Sequence, residues 1–279
     1  MVLSLNKFDL KDQYALITGS AGLLGYEHAA ALLEVNANVI LTDISSESLK
    51  KTYNQLKTIF PSANLNSYYM DVSKKESIIE VHKSLLSENK KVSILINNAA
   101  IDPKVTLGDK VKNSSRLEEF SEKDWNIQID VGLKGAFLCS QIFGSDMKNN
   151  NIHGVILNIA SDLSVLAPDQ RLYKDDSIEE HMQPVKPVTY SVVKAGLVGL
   201  TKYLATYWAE SNIRCNSLSP GGIKNEQSDI FIKRYSGLVP LGRMAEKNEY
   251  RSAVQFLCSE ASSYMTGVNL VIDGGKHVW

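Results

Sequence analysis

The sequence predicts an α/β fold, a single doubly wound parallel sheet with helices on both faces. Short β-rich runs alternate with longer helical patterns along the chain, which calls for parallel strands joined by crossover helices. Those runs are continuously apolar rather than alternating, the pattern of strands covered on both sides. At 279 residues and 44% hydrophobic content, the chain can fill one large domain over residues 1–279 but would be cramped as two.

Taken in order, Tyr14 to Thr18 reads as the first strand, Leu23 to Val35 as a helix, and Asn38 to Thr42 as the second strand. Further strands are predicted at Ser67 to Met70, Ser93 to Asn97, Val155 to Ile159, Ile213 to Leu218 and Asn269 to Ile272. Two insertions break this rhythm, Ile101 to Arg116 and Asp162 to Pro187. The second carries Pro168, Pro184 and Pro187 around a charged centre, so it reads as a surface loop or short helix. Both follow the C-terminal ends of strands, where ligands bind in open α/β sheets.

Thirty Lys and Arg against 31 Asp and Glu leave no basic footprint for nucleic acid or an acidic membrane. The first residues lack a long apolar core and no later run approaches bilayer length, so the chain reads as cytoplasmic. Cys139, Cys215 and Cys258 each sit in an apolar pattern and read as buried free thiols. The five histidines are scattered, and no group has metal-ligand spacing, so no metal is expected.

The chemistry begins at Thr18-Gly19-Ser20-Ala21-Gly22-Leu23-Leu24-Gly25, between the first strand and first helix. Gly19 permits the tight turn, Gly22 lets the backbone approach a pyrophosphate, and Gly25 lets helix and strand pack closely. Free amides at the helix start hold the anion. Asp43, ending the second strand, can accept both adenosine ribose hydroxyls and would repel a 2′-phosphate, which favours NAD over NADP. Downstream, Tyr190 and Lys194 stand at i and i+4 on one face of a predicted helix. A phenol ionises near pH 10, so using it as a base near neutrality requires about 4 kcal/mol, which the Lys194 ammonium and a cofactor's positive charge are expected to supply. Such a pair alone is weak evidence.

Several further motifs agree: Asp71-Val72, Asn97-Asn98-Ala99-Ala100, Ser161 after Leu157-Asn158-Ile159-Ala160, Ser219-Pro220-Gly221-Gly222-Ile223, Pro240-Leu241-Gly242-Arg243, and Met265-Thr266-Gly267 through Asp273-Gly274-Gly275. With them the chain resembles the short-chain dehydrogenase/reductases over nearly its whole length, a family with the Rossmann fold. The resemblance implies Ser161, Tyr190 and Lys194 as the reactive triad. It implies cofactor contacts from Gly19, Ala21, Gly22, Leu23 and Leu24, from Asp43 and Ile44, from Asp71 and Val72, and from Asn98 and Ala99. Tyr190, Lys194, Pro220, Gly221 and Ile223 complete that set. In these roles Tyr190 exchanges the hydroxyl proton, Ser161 orients the oxygen, and Lys194 binds the nicotinamide ribose.

Four departures stand out. The glycine spacing resembles the extended branch, the sugar-nucleotide epimerases and dehydratases, whereas the C-terminus resembles the compact branch. The family's catalytic asparagine, which helps hold a proton-relaying water, falls at Gly132, which has no side chain to offer; a nearby polar group or bulk water would have to replace it. Asn225 stands where a threonine is common, and the second insertion separates Ser161 from Tyr190.

For the substrate, Gln170, Arg171, Tyr173 and Lys174 point to a hydroxyl-rich or anionic molecule. Resemblance to oxidoreductases of flagellin modification and surface-sugar biosynthesis suggests a sugar or sugar phosphate, and gluconate-type polyol dehydrogenases fit as well. Two rival readings share these residues: an epimerase or dehydratase with transient oxidation, and a non-catalytic NAD-binding subunit. By resemblance, helices like Trp125 to Lys148 and Thr189 to Glu210 pair between copies, giving a homodimer or homotetramer.

Overall fold

A computed structural model describes residues 4–102 and 115–279. Most of the first insertion, residues 103–114, lies outside the described residues. The described residues contain a seven-stranded, wholly parallel sheet in the order β3-β2-β1-β4-β5-β6-β7. The strands are β1 Tyr14–Thr18, β2 Asn38–Asp43, β3 Leu65–Tyr69, β4 Val92–Asn97, β5 Val155–Ile159, β6 Arg214–Pro220 and β7 Asn269–Ile272. Four predicted strands shift slightly: β3 begins two residues early and ends one early, β4 begins one residue early, β6 begins one residue late, and β2 and β6 run on to Asp43 and Pro220.

Successive strand residues point to opposite faces, and each face has its own apolar core. Ala15, Ile17, Val39 and Leu41 pack on α1 (Leu23–Glu34), α2 (Ser46–Ile59) and α9 (Arg251–Cys258). Leu16, Ile40, Leu95 and Ile156 pack on α3 (Lys75–Ser87) and on the helices flanking β5. Those are a rod made of α4 (Glu122–Ile129), α5 (Gly135–Cys139) and α6 (Ser145–Asn149), and then α7 (Val188–Tyr207). The rod's pieces are joined by π turns at Asp130–Lys134 and Ser140–Gly144, widened turns that often occur at functional sites. A last helix, α8, spans Asp229–Ser236. Cys139, Cys215 and Cys258 are buried, and burial pushes the Cys139 and Cys258 thiols up to about 12, so they are inert.

The strand order reverses between β1 and β4, the switch point at which open sheets form a ligand crevice. Beneath that crevice a buried polar chain ties the layers together. Asn97 donates to Ser140 of the second π turn and to Asn158, and Asn158 donates to Thr201 on α7 (3.0, 2.8 and 2.8 Å). The second insertion folds as short 3₁₀ turns at Asp162–Ser164, Gln170–Tyr173 and Glu180–Met182. It is pinned to the first insertion where the latter is described: Val185 N–H donates to Ser115 (3.1 Å), Arg116 to the Glu180 carbonyl (3.1 Å), and Lys186 pairs with Asp102 at 2.6 Å.

Candidate active site

The glycine turn closes as its spacing predicts. Gly19 has φ +61°, and a β-carbon there would lie 2.7 Å from Ala99 Cα, so only glycine fits. At Gly25 a β-carbon would meet the Gly19 carbonyl oxygen at 2.3 Å, the close helix-to-turn packing that position requires. Gly22 caps α1 without any side-chain bond, which leaves first-turn amides for an anion. Asn98 holds the turn against β4, donating to the Thr18 and Gly19 carbonyls at 3.0 Å each, while Ala99 N–H donates to Thr18 Oγ1.

Around the turn lie the other cofactor candidates. Asp43 accepts from the Ala21 amide (3.0 Å) and the Ser45 amide (2.9 Å), so this acid also braces the turn. Ile44 and Leu23 are exposed beside it, an apolar surface available to a flat ring. Leu24 packs against the first core. Asp71 is buried; burial alone would raise its pKa, but hydrogen bonds from Ser73 and the Lys74 ammonium outweigh that and hold it below the usual range. Val72 is buried next to it. Pro220 ends β6, Gly221 N–H donates to the Ile272 carbonyl (2.8 Å), and Ile223 bridges to Ala245. These features suit a dinucleotide laid across the switch point.

Ser161, Tyr190 and Lys194 converge at the same end of the sheet. Ser161 sits just past β5, accepts from Leu163 N–H (3.2 Å) and donates to Asp162 Oδ1 (2.9 Å), beside Tyr190, whose ionised form it favours. Lys194 is buried and donates to the Ile159 carbonyl at 2.8 Å. Burial lowers its pKa to about 8.

The expected acidification of Tyr190 by Lys194 does not hold in the free protein. Burial of the hydroxyl, joined by the Asp102 charge, pushes the Tyr190 phenol above its ordinary value, and the Ser161 hydroxyl beside it only partly offsets this. Lys194 spends its ammonium on a main-chain carbonyl and sits 5.7 Å from the centre of the Tyr190 ring. A nearer cation, Lys186, stands 3.8 Å over that ring.

The proposed polar substrate wall is also redrawn. Arg171 is exposed and paired with Asp169 at 2.7 Å, and Lys174 pairs outward with Asp176. Of the four residues named, Tyr173 is the one whose charge environment includes Tyr190, Asp102 and Asp162. Gln170 instead lines a cleft of about 680 Å³ on the face of α7 carrying Ser191, Val192 and Ala195.

Sequence reasoning missed three residues here. Asp162 accepts from Tyr235 (3.0 Å) and pairs with buried Lys276 (2.8 Å), fixing the β5 loop and the C-terminal segment around Ser161. Lys186 is the third. Asp162 is adjacent to Ser161 in sequence and so was available to inspection; Lys276, more than 100 residues away, was not.

Gly132 lies in the first π turn, where a β-carbon would meet Val193 Cγ1 at 2.7 Å. The glycine thus allows the rod to approach α7 between Tyr190 and Lys194. Among the described residues no group of three or more His, Cys, Asp or Glu could hold a metal, and no helix is long and apolar enough to cross a membrane.

Comparison with known proteins agrees with this geometry. Residues 13–173 match the family model for short chain dehydrogenase, and residues 176–277 match that for enoyl-(acyl carrier protein) reductase. An NAD-dependent glycerol dehydrogenase of Listeria innocua is 34% identical, covering 96% of this chain and 95% of its own. A short chain dehydrogenase from Leptospira borgpetersenii with bound NAD+ superposes with a TM-score of 0.83 at 34% identity, over 99% and 97% of the two chains. A gluconate 5-dehydrogenase from Burkholderia cenocepacia, in complex with NADP and tartrate, gives a TM-score of 0.84 at 25% identity, over 99% and 100%. The chain belongs to the short-chain dehydrogenase/reductase family of nicotinamide-dependent oxidoreductases.

Proposed function

We propose that this enzyme interconverts a secondary alcohol and a ketone on a small polyol or sugar acid, using NAD(H) in the cytoplasm as one 279-residue cofactor-binding unit. The observation that carries the reading is the convergence of Ser161, Tyr190 and Lys194 beside a glycine turn braced by Asp43. Asp43 presents a carboxylate where a 2′-phosphate would have to sit, which supports NAD over NADP.

The nicotinamide, when bound, supplies the hydride acceptor or donor. Tyr190 exchanges a proton with the substrate oxygen through its phenolic hydroxyl, and Ser161 hydrogen-bonds that oxygen and orients it. Lys194 contributes positive charge beside the phenol, and its pKa near 8 lets it take up or release a proton close to neutrality. A bound oxidised cofactor would bring the positive charge that favours the Tyr190 phenolate.

Support for a hydroxyl-rich substrate comes from the relatives, a glycerol dehydrogenase and a gluconate 5-dehydrogenase, and from the Lys186–Asp102 pair beside Tyr190. Flagellin or surface-sugar biosynthesis is a narrower form of the same reading. Exposed apolar side chains on the rod and α7, Phe137, Val192, Tyr203 and Tyr207, support pairing of copies through those helices as a dimer or tetramer. The decisive experiment is an NAD-reduction screen over polyols, aldonates, amino sugars, sugar phosphates and sugar nucleotides, with Tyr190→Phe alongside. Turnover that falls by about 10²–10⁴ in the variant while NADH still binds supports the assignment, and undiminished turnover refutes it.

A further inference from the structure

Lys186 stands in the second insertion, and its ammonium lies over the face of the Tyr190 ring, 3.8 Å from the centre. It is therefore beside the phenol oxygen rather than on it. Its place is fixed from both ends. On the main chain, Lys186 N–H donates to Gln170 Oε1 (2.8 Å), and the Lys186 carbonyl accepts from Gln170 Nε2 (3.5 Å). At the tip, the ammonium donates to Asp102 Oδ1 at 2.6 Å. Among the described residues neither side chain makes another hydrogen bond, so ammonium donors and a carboxylate oxygen are still open.

The two partners are unequally exposed: the Lys186 side chain is 11% open to solvent and that of Asp102 is 58%. A substrate arriving from solvent meets the carboxylate before the ammonium. An anion is repelled there, and a pair neutral within itself offers it no net attraction. A neutral hydroxyl is received differently. It accepts from the ammonium and donates to the carboxylate, two charge-assisted bonds from one group. The phenol oxygen is set off from the ring centre by about the span between two oxygens on adjacent carbons, so a hydroxyl neighbouring the reacting one falls near the pair.

We propose that Lys186 and Asp102 are specificity-determining residues that together hold the hydroxyl on the carbon next to the reacting one. They select neutral vicinal diols over sugar acids and sugar phosphates, and over alcohols that lack the second hydroxyl. The inference narrows the functional reading above and rests on it.

The test is steady-state NAD reduction by the full chain, by Asp102→Asn and by Lys186→Met, with propane-1,2-diol, 2-propanol, xylitol and gluconate as substrates. Selectivity is taken as a ratio of kcat/KM values within each protein, so a shift in the Tyr190 titration or a loss of folded enzyme cancels. The wild type is expected to prefer propane-1,2-diol over 2-propanol and xylitol over gluconate, each by about 10-fold or more. Asp102→Asn leaves a bare cation, and its xylitol-to-gluconate ratio falls by about 10-fold or more. Lys186→Met loses the ammonium donor, and its preference for the diol over 2-propanol drops toward none. A wild type that favours gluconate or uses 2-propanol as well as the diol overturns the inference, as do variant ratios unchanged from wild type. Oxidation of other alcohols but none of these four also overturns it, whereas a protein that oxidises no alcohol at all defeats the functional reading itself.

Discussion

The Lys186 ammonium lies 3.8 Å from the centre of the Tyr190 ring and pairs with Asp102, whereas the Lys194 ammonium lies 5.7 Å from the same centre. Asp102 disfavours the Tyr190 phenolate, and Lys186 is the cation paired with that carboxylate. Lys186→Met leaves that carboxylate uncompensated, so the Tyr190 pKa rises further and alcohol oxidation at a fixed pH slows. The alkaline rise in NAD reduction is expected to move up by about one pH unit, roughly tenfold in rate near neutrality. Adding Asp102→Asn returns the profile most of the way, as a pH–rate series on the three proteins will show.

Gly132→Asn, the substitution that restores a side chain common in the family, is expected to harm this enzyme. Its β-carbon collides with Val193 Cγ1, attached to a stiff branched stem on α7. The cost is about 1–3 kcal/mol in urea unfolding, with activity lowered. A second change, Val193→Ala, opens the space and is expected to recover part of both.

The Asp162–Lys276 pair is buried on both sides. Removing only the cation by Lys276→Met strands a carboxylate among Ser161 and Tyr235, at a cost of about 3–5 kcal/mol. The double variant Asp162→Asn, Lys276→Met is expected to be less destabilised than Lys276→Met alone. Thermal unfolding of the set decides the point.

His28 on α1 is buried, neither ring nitrogen has a partner among the described residues, and burial lowers its pKa to about 3 from an ordinary 6.5. The unfolded chain therefore binds one more proton between those values. Stability is full above about pH 6.5 and declines as the pH falls toward 3, by up to about 5 kcal/mol. His28→Leu removes this contribution, so its unfolding free energy is expected to vary less with pH across that window.

The elements were legible because their signals are local. Continuous apolar runs such as Val155–Ile159 and the glycine triplet before α1 encode their own geometry, and β5 and β1 fall where predicted. The i,i+4 spacing likewise brought Tyr190 and Lys194 to one face. What that spacing could not show was the Ile159 carbonyl, 35 residues away, that takes the Lys194 ammonium, or the burial that raises the phenol. Lys186 is also four residues from Tyr190, but it precedes α7, so helical periodicity says nothing of where it points.

The sheet order also bears on how the protein is made. Tyr14 pairs with Asn38 on one side and with Val92 on the other, so the central strand must wait through 78 further residues of synthesis for its second neighbour. At 5–20 residues per second that is roughly 4–16 s with an open hydrogen-bonding edge. The emerging chain is most vulnerable to clumping in that interval, and production yield should follow translation speed and chaperone supply more than the stability of the finished enzyme.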